Sequence, residues 1–177
     1  MKINIGHIPE EGLNLQFDKD GDWFHNTLPE KEKSELFLSK VDVDCTVKKL
    51  KETIMIEGSL KTAVTTNCSR CLAVTSFPIK NNFRYMLVPA DKRVKEEQEL
   101  NSEDLELSFF ESDLIDLDTM LYEQIMLQIP LKILCGDTCK GLCYHCGTDL
   151  NTASCNCSNT FADERLAVLK KFKKKED

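Results

Sequence analysis

The stretch CGDTCKGLCYHCGTDLNTASCNC, residues 135–157, carries six of the chain's nine cysteines. Thiols at that density serve disulfides, a redox reaction or a metal, and each use demands a different fold around them. The N-terminal MKINIGHIPEEGLNLQF lacks the apolar run of about 7–15 residues that a signal peptide needs. No stretch of ~18 apolar residues occurs either. A soluble, intracellular protein is therefore expected. Reducing compartments disfavour disulfides, and an odd cysteine count leaves one thiol over in any pairing. Both points favour a metal or a redox role.

Cys143 and Cys146 form a C-x2-C followed by Gly147. A tight turn of this kind lets two thiolates grip one metal while neighbouring amides face the sulfurs, and glycine permits the backbone geometry. Cys155-x-Cys157 supplies a second pair after the short loop DLNTAS. Four sulfur ligands at about 2.3 Å in a tetrahedron suit zinc. His145 lies inside the knuckle and is expected to face solvent or support the ligands. Two half-sites remain, Cys135-x3-Cys139 and the distant Cys68-Ser69-Arg70-Cys71. Joined, they make a second four-cysteine site, which would staple the segment after residue 130 to the sheet. Cys45 is left alone on its strand as a small buried hydrophobe. Spacing also allows a single zinc with the CSRC pair free, or a different mixture within the cluster of six.

A C-x-x-C can instead be a thioredoxin-like dithiol, whose first thiolate is activated at a helix N-terminus. CSRC lacks that context, because TAVTTN before it and LAVTSF after it are rich in strand formers. No Ser-His-Asp constellation and no phosphate-binding glycine loop is present, and the histidines at 7, 25 and 145 suggest no shared site.

The rest of the chain, 177 residues with 41% hydrophobic and 30% charged, suffices for one core burying roughly 70% of the unfolded surface. Val41, Val43, Cys45 and Val47 alternate with Asp42, Asp44, Thr46 and Lys48, the period of a half-buried strand. Ile54 and Ile56 repeat it, Glu57-Gly58-Ser59 reads as a turn or bulge, and strands follow at 61–66, 73–79 and 83–88. Short strands near 1–8 and 13–17 can join them, the second followed by the turn-like DKDG at 18–21. Trp23 and Phe24 are expected as core anchors. Residues 91–111 are charged and sparsely apolar, which suggests a solvated insertion. In 117–129, Leu117, Leu121, Ile125 and Ile129 recur every four residues, with Met120, Met126 and Leu127 on much of the remaining circumference. This predicts a largely buried helix, capped by Asp116 or Asp118 and stopped by Pro130.

The tail NTFADERLAVLKKFKKKED predicts a helix with Phe161, Val168, Leu169 and Phe172 on one side. Lys170, Lys171, Lys173, Lys174 and Lys175 either complement the dipole at its end or contact RNA phosphates, and the two roles are compatible. A formal net charge of −7 excludes a surface that embraces nucleic acid as a whole.

CSRCL (68–72), the passage at Asp116-Leu117, IPLKILC (129–135), CKGLCYHCGTDLN (139–151) and CNC (155–157), in that order, resemble the YceD-like family, also called the large ribosomal RNA subunit accumulation proteins. The likeness runs from about residue 36 to 172. It implies a bacterial or organellar, cytoplasmic protein tied to large-subunit ribosomal RNA accumulation or processing, and it brings no catalytic activity. The family pattern often has proline after the first knuckle cysteine. Tyr144 stands there in this chain, which alters the turn and removes no ligand.

The expected fold is α+β: an antiparallel β-rich body, meander or open barrel, over residues 1–130, with the buried helix inside it. Residues 131–177 form a zinc-ribbon-like cysteine module and a basic C-terminal helix packed on that body. Metal ligation is read from the spacing and not from the resemblance: two structural zinc ions, on Cys68, Cys71, Cys135 and Cys139 and on Cys143, Cys146, Cys155 and Cys157. The expected role is non-enzymatic support of ribosomal RNA accumulation or ribosome assembly. The expected partner is ribosomal RNA or a large-subunit ribosomal protein, with no membrane and no small-molecule substrate. The alternatives are a zinc-binding adaptor unrelated to ribosomes, and a thiol-disulfide oxidoreductase using Cys68 and Cys71.

Overall fold

Alternation of apolar and polar residues decides the centre of the molecule. The computed structural model describes residues 1–28, 36–90 and 107–157. In chain order these form β1 (Lys2–Asn4), a 3-10 turn (Ile5–His7), β2 (Leu13–Lys19), α1 (Gly21–Thr27), β3 (Phe37–Leu38) and β4 (Val41–Leu50). Then come β5 (Thr53–Asn67), β6 (Val74–Pro89), β7 (Leu107–Phe110), β8 (Leu114–Asp116) and α2 (Leu117–Gln128). One sheet runs β2-β4-β5-β6-β7, with β3 continuing the β4 edge of β5; β1 and β8 make a separate two-stranded sheet. The fold is β-rich α+β, as expected.

Val41, Val43, Cys45 and Val47 point inward from β4, Ile54, Ile56, Leu60 and Val64 from β5, and Ile79, Phe83 and Leu87 from β6. Phe24 of α1, Leu117, Leu121 and Ile125 of α2, and Ile3, Ile5 and Ile115 close over that face. Lys19, at the end of β2, pairs with Asp118 in the first turn of α2 at 2.7 Å.

Several local expectations are corrected. Glu57-Gly58-Ser59 is not a turn: β5 runs straight through it, with Gly58 opposite Cys45 on one side and Phe83 on the other. A Cβ at Gly58 would stand 2.5 Å from the Cys45 Cβ and 2.8 Å from the Phe83 ring. The glycine is there to make room for its neighbours. The two runs expected at 73–79 and 83–88 merge into β6, which begins at Val74. Asp18 and Lys19 of the DKDG stretch complete β2, while Asp20 caps α1, its Oδ1 accepting the Trp23 N–H at 3.0 Å. Phe24 is fully buried in that helix, whereas Trp23 is only partly so and has Lys19 Nζ 4.8 Å from its ring centroid.

The sheet is not wholly antiparallel. Residues 107–110, at the end of the supposed insertion, form β7 and pair in parallel with β6; residues 91–106 lie outside the described residues. The helix α2 starts where expected, with Asp116 Oδ1 accepting the Asp118 N–H at 3.1 Å. It ends before Pro130, whose predecessor Ile129 has left the helical region (ψ 118°) as a residue before proline tends to. It is buried along one stripe only, since Leu127 is 75% exposed. The predicted C-terminal helix, with Lys170, Lys171, Lys173, Lys174 and Lys175, lies outside the described residues. Among those described, no helix is long and apolar enough to cross a membrane.

Candidate metal centres

The first centre begins as a hairpin turn. Residues 68–71 link β5 to β6, and the turn is closed by Cys68 N–H to Ala73 O at 2.9 Å and Leu72 N–H to Cys68 O at 3.0 Å. Leu72 completes it with φ of 61°, a left-handed conformation unusual for a leucine. The segment after α2 then comes alongside: Ser69 N–H donates to Ile133 O at 2.8 Å, and Ile133 N–H to Ser69 Oγ at 3.3 Å. Arg70 Nη1 donates to Cys139 O at 2.8 Å. These contacts bring Cys135 and Cys139 to the turn. Cys68 Sγ lies 3.8 Å from Cys139 Sγ, and Cys71 Sγ 3.6 Å from Cys135 Sγ. Leu134 and Leu142 pack against the buried sulfurs.

The second centre is local in sequence. Gly147, at φ 73°, lets the chain reverse, with its N–H on Cys143 O and Cys143 N–H on Thr148 O, each at 2.8 Å. A single bridge, Leu142 to Asp149, is its one described piece of β pairing. Cys155 and Cys157 return to the turn.

In both quartets the four sulfurs lie within 4.8 Å of one another, close to what bonds of about 2.3 Å to one tetrahedral ion require. The groups are Cys68, Cys71, Cys135 and Cys139, and Cys143, Cys146, Cys155 and Cys157. Either could hold a metal ion. Cys45 stays apart, buried in the core, and burial with the nearby Asp44 pushes its thiol up to about 11.

The donor chemistry fits a cation. Arg70 N–H and Cys135 N–H point at Cys68 Sγ, at 3.5 and 3.3 Å. The amides of Cys71 and Arg70 hold the Cys68 thiol down to about 6. The sulfurs of Cys139 and Cys71 push Cys135 up to about 12. The pattern repeats in the second quartet: Thr148, by its hydroxyl and its amide, holds Cys146 down to about 6, and Cys146 pushes Cys157 up to about 12. Each quartet therefore has one thiol made more acidic by the donors around it and another made less acidic by its sulfur neighbours. A divalent ion removes that conflict. Cys68 is 0% exposed and directly follows a strand, with no helix N-terminus behind it, which is not the setting of an attacking redox thiol.

A family model described as large ribosomal RNA subunit accumulation protein YceD matches residues 56–173. The chain belongs to the YceD family. The YceD match opens inside β5 and includes both quartets. Among curated relatives, the chloroplastic large ribosomal RNA subunit accumulation protein YCED homolog 1 of Arabidopsis thaliana is 28% identical over 152 residues, 73% of this chain and 47% of the relative. The Zea mays protein of the same name is 29% identical over 130 residues, 59% and 44%. An uncharacterized protein of Mycobacterium bovis is 24% identical over 110 residues, 62% and 51%. The chain thus spans about half the length of the curated relatives it matches. No solved structure matches.

Sequence reasoning missed the residues that join the two quartets. Asn151 Nδ2 donates to Cys139 Sγ at 3.6 Å and to Asp149 Oδ1 at 2.7 Å, and its Oδ1 accepts the Lys140 N–H at 2.7 Å. Gly141, at φ 77°, passes so close to the first turn that a Cβ would stand 3.1 Å from Arg70 O. The available signal was D-x-N at 149–151, an Asx pattern within the cysteine cluster.

Proposed function

We propose that this chain is a non-enzymatic factor supporting large-subunit ribosomal RNA accumulation or ribosome assembly, with a structural zinc ion in each cysteine quartet. Membership of a family named for large ribosomal RNA subunit accumulation carries the reading. For the ion, the support is the donor set: four thiols per site, amides aimed at the most buried sulfur, and no carboxylate or imidazole in either group. Zinc would be held by Cys68, Cys71, Cys135 and Cys139 and by Cys143, Cys146, Cys155 and Cys157, fixing loops that have little regular structure of their own. The partner is ribosomal RNA or a large-subunit ribosomal protein, in the cytoplasm. Lys170, Lys171, Lys173, Lys174 and Lys175 are proposed as phosphate contacts on the strength of their charge alone.

The test is deletion of the gene in its own organism, followed by the ratio of large- to small-subunit ribosomal RNA. The ratio should fall and be restored by the wild-type gene; an unchanged ratio would reject the ribosomal reading. Untagged purified protein should contain about two zinc ions per chain, as the two quartets require.

A further inference from the structure

A cleft of about 330 Å3 opens beside the second quartet, lined by Lys140, Tyr144, Leu150, Ala153 and Ser154 together with cysteine ligands. Tyr144 forms one wall and is 55% exposed. The next residue, His145, is exposed as well, and the two ring centroids lie 4.4 Å apart with planes at 37°. A tyrosine held between two cysteines of one quartet is a ring on a short, fixed turn, so presenting it to a ligand costs little conformational entropy. Among the described residues, no aspartate or glutamate lines the cleft, although the chain as a whole is acidic. Apart from the cysteine ligands, Lys140 is the one charged side chain in its lining.

We propose that the Tyr144–His145 turn is a stacking platform for an unpaired base of single-stranded RNA, with Lys140 meeting the adjoining phosphate. The inference rests on the ribosomal RNA reading above and gives it a place on the molecule. Aromatic faces accept any base, and a nearby cation holds the backbone. A divalent ion surrounded by four thiolates keeps net negative charge, so many phosphates cannot gather at this surface. Binding here comes from stacking, and its dependence on salt is shallow. That separates it from the lysine tail, where counterion release would make the dependence steep.

The experiment uses the full, zinc-loaded chain and a labelled, unstructured RNA of about 12 nucleotides, within the span of known single-strand sites. Tyr144→Ala should weaken binding roughly ten- to hundredfold, as loss of one stacked base requires, while Tyr144→Phe binds like wild type. The salt slope should be the same in Tyr144→Ala as in wild type, and Lys140→Gln should flatten it by about 0.7. Zinc content must match wild type in every variant. Equal binding by Tyr144→Ala and wild type overturns the platform, as does a Tyr144→Phe variant that fails as badly as the alanine. A wild-type chain that ignores the RNA but binds a large-subunit ribosomal protein overturns it too. The deletion strain keeps the two readings apart. If the wild-type gene and Tyr144→Ala restore the ribosomal RNA ratio equally, the platform is wrong and the ribosomal reading stands; if deletion leaves the ratio unchanged, the ribosomal reading itself fails.

Discussion

The two cysteine quartets have the same ligand chemistry and opposite positions in the fold. In the first, Cys68, Cys71 and Cys139 are buried, and two of the four ligands come from the turn between the longest strands of the sheet. In the second, Cys146 and Cys157 are exposed, and all four ligands fall between residues 143 and 157. An ion in the first site would join parts of the chain that are far apart in sequence. An ion in the second would shape a single loop. With an ion in each, identical donors would give one site a share in global stability and leave the other a local matter.

On the proposed zinc reading, the largest effect belongs to Cys68→Ser. It should remove one metal equivalent and lower stability by on the order of 4 kcal/mol or more, because it costs a buried metal site and its packing together. Metal analysis and thermal unfolding check both parts. Near-wild-type stability in metal-depleted Cys68→Ser would erase the contrast between the sites.

Gly58→Ala comes next and probes the body alone. The new methyl group meets the Cys45 Cβ and the Phe83 ring, so a loss of about 1–3 kcal/mol in denaturant unfolding is expected. Both metal equivalents should remain. Loss of metal in this variant would mean that the packing around Gly58 also sets the geometry of the quartets.

Cys157→Ser should also cost one metal equivalent, but shift the unfolding of the body by no more than ~0.5 kcal/mol. Faster amide exchange should appear in residues 140–157 and nowhere in β4 to β6. Exchange spreading into the sheet would show that the second site has a global role after all.

The smallest effect is a matter of pH. Burial raises the folded-state value of Cys45 from 9.0 to about 11. The unfolded chain therefore loses this proton first, and stability falls as pH rises from about 9 to about 11, then levels off. Below that window the group contributes no slope. Cys45→Ala should lack this alkaline step, as measured by comparing the pH dependence of its unfolding free energy with that of wild type. An identical alkaline slope in the two proteins would show that Cys45 is not protected in the folded state.

What could be read in the sequence were features whose signal is local and strong. The alternation of Val41 to Lys48 names both the strand and its inward face. Leu117, Leu121 and Ile125 give the helix and its stripe. The cysteine spacings suggested the same two groups of sulfurs that the fold brings together. What escaped depends on partners elsewhere in the chain. Gly58 looks like punctuation until Phe83 and Cys45 are placed on either side of it. Leu107–Phe110 follows a charged run and becomes a strand only because an edge of β6 is open to it. The seven residues of α1 are too few to show a helical period, and its cap, Asp20, sits within the turn-like DKDG. Asn151 and Gly141 matter because two turns meet, which no single window of sequence contains.

The separation of Cys68 and Cys139 by 71 residues bears on the order in which the molecule assembles. Fourteen residues part the outermost ligands of the other group. By chain entropy alone, closing the longer loop costs about 1.4 kcal/mol more. The short loop can therefore close while the rest of the chain is still unformed. The long one needs Cys68 and Cys71 of the β5–β6 turn to meet Cys135 and Cys139 of the segment after α2. Closure of the long-range site is therefore the costlier of the two, and it ties the β5–β6 turn to the segment after α2.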